Sequence, residues 1–116
     1  MNDPSCLFCR LASGEVPSDR VLETDDLIAF RDIDPKAPVH VLVIPREHVA
    51  SLDDLEEGQA ELVGKLHIAA REVARQEGLR ERGWRVVTNV GEDAGQSVAH
   101  LHLHVLGGRR LGWPPG

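Results

Sequence analysis

The run Val98-Ala99-His100-Leu101-His102-Leu103-His104-Val105-Leu106 alternates imidazole and apolar side chains. Only an extended chain sorts that pattern cleanly, because successive strand side chains point to opposite faces. The spacing predicts a strand from about Val98 to Leu106, with His100, His102 and His104 on one face and Leu101, Leu103 and Val105 on the other, ended by Gly107-Gly108. A strand with one wholly apolar face must be covered, so the rest of the chain has to supply a sheet and a second layer.

That supply is visible along the chain. Arg20 to Thr24 and Leu27 to Asp32 read as a hairpin turning at Asp25-Asp26. Two prolines make Ile33 to Pro38 a rigid loop, and Val39 to Arg46 is a further strand whose His40, Leu42 and Ile44 share a face. From Asp54 to Glu77 the period changes: Leu55, Leu62, Leu66, Ala69 or Ala70, and Val73 fall three or four apart, which predicts a helix with one buried stripe. Asp54 with Glu57 resembles a capping box, and Gly78 is placed to stop the helix. Trp84 to Val90 reads as another strand, and Gly91 to Ser97 as a loop whose backbone N–H groups can approach an anion. The opening from Cys6 suggests a short helical turn followed by a loop. Five strands, one long helix and no recurrent strand-helix alternation predict an α+β fold on an antiparallel sheet, in one domain spanning 1–116.

With 13 Lys+Arg against 19 Asp+Glu, the formal charge of -6 argues against a general nucleic-acid or anionic-membrane surface. The start MNDPSC has no basic segment followed by an apolar stretch, and no run approaches about 18 consecutive apolar residues. The expectation is a cytoplasmic protein.

Three imidazoles on one face suit two chemistries. A neutral ring is a nucleophile near pH 7 and a charged one holds phosphate oxygens, which points to phosphoryl transfer; the same spacing also suits a metal-binding strand. Cys6 and Cys9 leave a similar choice between half of a tetrahedral metal site and a reducible pair. Asp32 in isolation is as well explained as a turn cap, His40 as a half-buried core histidine, and Phe30, Ile33 and Leu42 as core.

The pattern His, apolar, His, apolar, His, apolar, apolar at 100–106 resembles the histidine-triad (HIT) hydrolases, and the whole chain resembles their Hint-like nucleoside phosphoramidase branch. The segments CLFCRLASGEVPS, DIDPKAPVHVLVIPREH, NVGEDAGQSVAHLHLHVLGGR and the terminal WPPG carry the likeness. It implies an HIT-like fold with a short N-terminal helix added to the elements above. It implies that His102 attacks the α-phosphorus of a purine nucleoside 5′-phosphoramidate, that a nucleotidyl-histidine forms, and that water releases the nucleoside monophosphate. His104 and His40 then flank the phosphate, the carbonyl of His100 fixes the His102 ring, and Ser97 lies near the scissile P–N bond. Either His104 or Ser97 assists the departing amine. Asp32 matches the acceptor for the ribose hydroxyls, Phe30, Ile33, Leu42 and Val16 the base pocket, and Asn89, Gly95 and Gln96 further substrate contacts.

The likeness also implies a structural zinc on Cys6, Cys9, His48 and His100, with reduced cysteines or a disulfide as alternatives and no metal required for the chemical step. It implies a homodimer whose half-sheets join, so that Trp113 in the tail reaches the partner's site and bears on leaving-group choice. Rival readings keep the nucleophile but take a diadenosine polyphosphate or another nucleotide acceptor, or make the chain a nucleotide-binding regulatory module.

Overall fold

The computed structural model describes residues 2–116. In chain order the elements are α1 (Leu7–Ala12), β1 (Arg20–Glu23), β2 (Leu27–Arg31), β3 (Val39–Pro45), α2 (Ala60–Gln76), β4 (Arg85–Val87) and β5 (Leu103–Gly107). The strands form one antiparallel sheet in the order β1-β2-β3-β5-β4, the α+β arrangement expected from the element pattern.

Alternation along the central strands builds two cores. Leu27 and Ala29 of β2, Val41 and Val43 of β3, and Leu103 and Val105 of β5 face α2, which presents Leu66, Ala69, Ala70, Val73 and Ala74. On the opposite face Ile28, Phe30, Leu42 and Ile44 meet Phe8, Leu11 and Ala12 of α1 together with Cys6 and Cys9. A six-residue helix cannot cover a whole sheet face, and beside it the same face carries His40 and His102, both buried, and the half-buried His104.

α2 is shorter at its start than its apolar period suggested. Two 3-10 turns, Leu52–Asp54 and Glu57–Gln59, precede it. Leu55 between them is extended at φ -68° and ψ 142°, and the Asp54 carboxylate accepts the Ser51 hydroxyl at 2.7 Å instead of capping a helix. The return bond runs from the Glu56 N–H to Gln59 Oε1 at 2.9 Å, so the capping pair is Glu56 with Gln59. At the other end Gly78 stops the helix as expected: φ is +74°, and the N–H of Leu79 reaches the Ala74 carbonyl at 2.9 Å.

The histidine strand also begins late, at Leu103 rather than Val98, and β4 ends at Val87 rather than Val90. The two shortenings have one cause. Residues 98–102 leave the β4 ladder, the Leu101 N–H bonding to the Val49 carbonyl at 2.6 Å while the Thr88 hydroxyl donates to the His102 carbonyl at 2.9 Å. Alternation survives this departure: Leu101 joins the α2 core, whereas His100 and His102 are buried on the other side. At the far end of β5 the chain turns at Gly108, with φ +91° and no room for a Cβ, which would stand 2.8 Å from Pro38 Cβ.

Candidate active site

The gap beside α1 is a cavity of about 640 Å³. Its wall brings together Val16, Phe30, Ile33, Leu42, Asp32, Ser97, His102 and His104, eight residues that the family resemblance placed around a nucleotide. Phe8, Leu11, Pro17, Ser18 and Asp19 also line it and were not singled out from sequence. Phe8 had a legible signal, since 8, 11 and 12 fall on one helical face; residues 17–19 had none.

Hydrogen bonds fix the protons on three rings. The His102 Nδ1 lies 2.6 Å from the His100 carbonyl, which can only accept, so Nδ1 carries the hydrogen and Nε2 keeps its lone pair. For His40 the order is reversed: the Lys36 N–H donates to Nδ1 at 3.0 Å, leaving the hydrogen on Nε2. That Nε2 is 2.9 Å from His104 Nδ1 and donates to it, so His104 carries its own hydrogen on Nε2. Two triad rings spaced by one residue are therefore set in opposite states, His102 as an Nε2 lone pair and His104 as an Nε2–H donor.

Burial disfavours a charge on two of these rings, His104 and His40. Desolvation, helped by His102 and His40 and opposed by Asp32, pushes His104 down to about 4. Desolvation also lowers His40, with Asp32 3.4 Å away opposing. The edge of the Phe8 ring packs on His102 at 5.1 Å between centroids and 84° between planes, holding it against rotation.

Cys6, Cys9, His48 and His100 form a second cluster. Cys6 Sγ and His48 Nδ1 each lie 3.3 Å from His100 Nδ1, while Cys9 Sγ lies 3.3 Å from His48 Nδ1 and 3.5 Å from His100 Nδ1. Zinc bonds of about 2.3 Å to sulfur and about 2.0–2.1 Å to nitrogen, set tetrahedrally, make edges of roughly 3.3–3.8 Å. His100 Nε2 donates to the Pro45 carbonyl at 2.9 Å, so its Nδ1 lone pair faces the cluster, and burial above all lowers this ring to about 4. Both thiols are free and buried, and burial raises that of Cys9. Donor chemistry, spacing and tautomer all fit a closed zinc site. Asp32, His40 and His104 converge as well, but the hydrogen bond between the two rings accounts for that grouping.

Other expected contacts stand elsewhere. The Gln96 side chain is spent on backbone groups, donating to the Ala50 and Val98 carbonyls and accepting the Gly91 N–H. The Gly95 and Gln96 N–H groups bond to the Glu92 and Gly91 carbonyls, closing the turn rather than offering themselves to an anion. Asn89 is half-buried outside the cavity wall. Trp113 is 81% exposed, with the Arg85 guanidinium 5.9 Å from its ring centroid. His40 is buried and reaches the cavity through His104.

Comparison with known proteins adds four findings. A family model described as the HIT domain matches residues 13–111. Among curated relatives, the adenylylsulfatase HINT1 of Arabidopsis thaliana is 45% identical over 117 residues, covering 99% of this chain and 79% of its own length. The 14 kDa zinc-binding protein of Zea mays is 45% identical over 118 residues, covering 100% of this chain and 91% of its own. Among solved structures, an HIT family hydrolase from Legionella pneumophila Philadelphia 1 superposes with a TM-score of 0.95 at 48% identity, over 97% of this chain and 100% of that one.

Proposed function

The chain belongs to the HIT domain family, and from that premise we propose that it hydrolyses purine nucleoside 5′-phosphoramidates through a nucleotide covalently held on His102. The observation that carries this reading is the pair of opposed tautomers on one cavity: an imidazole lone pair beside an imidazole N–H, with Asp32 and an apolar wall within the same space. The base occupies the wall of Val16, Phe30, Ile33 and Leu42, and Asp32 accepts from the ribose hydroxyls.

In the first step His102 Nε2 bonds to phosphorus as the P–N bond breaks. The amine nitrogen takes a proton relayed from solvent by the exposed Ser97 hydroxyl. His102 then has both nitrogens substituted and a positive ring, so its 2.6 Å bond to the His100 carbonyl becomes charge-assisted and strengthens as reaction proceeds. His104 Nε2–H donates to a non-bridging oxygen, backed by His40. In the second step water adds to phosphorus and gives a proton back to solvent, the P–Nε2 bond breaks with its electron pair returning to the ring, and nucleoside monophosphate leaves.

We place a structural zinc on Cys6, Cys9, His48 and His100, where it would cross-link α1 to the segment after β3 and to the histidine segment. We also propose a single domain over 1–116 and a homodimer joined at β4. That strand lies at the sheet edge, and Arg85 on it holds the tail by donating to the Gly112 carbonyl at 3.0 Å, which sets Trp113 beside the same edge. A second reading, hydrolysis of an adenylyl sulfate, is favoured by the described activity of the Arabidopsis relative and changes only the leaving group.

Hydrolysis of adenosine 5′-phosphoramidate by the protein and by His102→Ala tests the proposal. Loss of about 10³-fold or more in the variant, with an adenylyl mass adduct trapped only on the unmodified protein, is the expected result. Equal rates would end it.

A further inference from the structure

Among the described residues, Ser18 Oγ is the one buried side-chain polar atom without a hydrogen-bond partner. A hydroxyl shut away from water and left unpaired is costly, and native structures rarely retain one without use. Ser18 also lines the cavity, so the unpaired group and the proposed ligand space meet at one residue.

Sheet order says which part of a ligand Ser18 faces. The Arg31 N–H donates to the Asp19 carbonyl at 2.9 Å, so segment 16–19 runs along the outer side of β2, in line with β1. His104 is on β5 and His102 stands just before it, and β5 follows β2 and β3 in the order β1-β2-β3-β5. Strands about 4.8 Å apart put this segment roughly 14 Å across the sheet from the histidines, three spacings away. Asp32, just after β2, lies between them. A nucleotide with its phosphorus at His102 and its ribose at Asp32 therefore presents its base to the 16–19 wall.

That wall is mostly unable to hydrogen-bond. Val16, Pro17, Leu11 and Phe30 offer apolar side chains, and the Asp19 carboxylate, largely exposed and 3.5 Å from the Arg31 guanidinium, can only accept. We infer that Ser18 is a base-recognition residue, its hydroxyl exchanging a hydrogen bond with the polar edge of the purine while the apolar wall holds the rings. One bond, Cα–Cβ, sets where the oxygen points, so meeting the base takes a single rotamer change. Because a hydroxyl both donates and accepts, it pairs equally with an amino or a keto edge. It separates purines from fused rings lacking such an edge, not adenine from guanine.

This inference rests on the nucleotide reading above, and the experiment separates the two. Binding of adenosine monophosphate, guanosine monophosphate and benzimidazole riboside monophosphate is measured by calorimetry on the protein and on Ser18→Ala, together with kcat and KM for adenosine 5′-phosphoramidate. The variant should bind both purine nucleotides about 5–10-fold more weakly, raise KM by a similar factor with kcat within about twofold, and bind the benzimidazole compound unchanged. Its melting temperature without nucleotide should stay level or rise, since no bond is lost. Unchanged purine affinity, or a lowered melting temperature showing a structural partner for the hydroxyl, overturns the inference and leaves the nucleotide reading standing. Absence of any nucleotide binding or turnover in the unmodified protein overturns both.

Discussion

His102 and His104 differ in protonation pattern because their Nδ1 atoms meet different partners. A carbonyl can only accept, which gives His102 its Nδ1 hydrogen; the donating His40 ring takes that option from His104. His40→Ala should therefore leave the His102 adduct able to form while slowing turnover about 10-fold or more, seen as slower adduct formation in rapid-quench measurements. Acid sensitivity has its origin here as well. His104 is held down to about 4, whereas an unfolded histidine titrates near 6.5, so between those values the unfolded chain binds a proton that the folded one refuses. Stability from this group is complete above about 6.5 and falls as pH drops toward about 4. Melting temperatures across that range should fall less for His104→Gln than for the unmodified protein, and parallel curves would contradict the assignment.

At the scale of elements, the sheet separates stability from chemistry. Leu66 sits fully buried in α2 against one face, while the cavity opens on the other. Leu66→Ala should cost about 2–5 kcal/mol in urea denaturation, yet the folded fraction should keep its kcat. Thr88 shows the opposite coupling. Its hydroxyl replaces a missing ladder bond at the His102 carbonyl, so Thr88→Val should lose only about 1 kcal/mol while altering turnover through the nucleophile's backbone. A change in stability without a change in rate would confine Thr88 to a structural part.

Across the whole molecule, four residues from three distant segments close one cluster: Cys6 and Cys9 around the start of α1, His48 after β3, and His100 before β5. Removing the metal proposed there should lower the melting temperature by several degrees and open residues 2–19 to protease, with zinc restoring both; one zinc per chain in the purified protein is the companion measurement. Unchanged stability after complete chelation would refute the structural role. For the dimer, sedimentation should report twice the mass of one chain, because β4 has a partner on one side only and a small domain gains by covering such an edge.

The sequence by itself determined which face each histidine occupies. Alternation is a property of any extended backbone, and it held at 100–102 even where the ladder did not. It also determined the helix period and its stop at Gly78, since both are local. Element ends were decided elsewhere. Leu101 pairs with Val49 and Thr88 with the His102 carbonyl, contacts between segments whose proximity no local pattern records, so the strands around them came out shorter. Two of the tautomers belong to the same class. Which nitrogen of His104 or His100 carries a hydrogen depends on the His40 ring and the Pro45 carbonyl brought up by β3, and only the folded chain brings them there, whereas His102 is set by the His100 carbonyl two residues away.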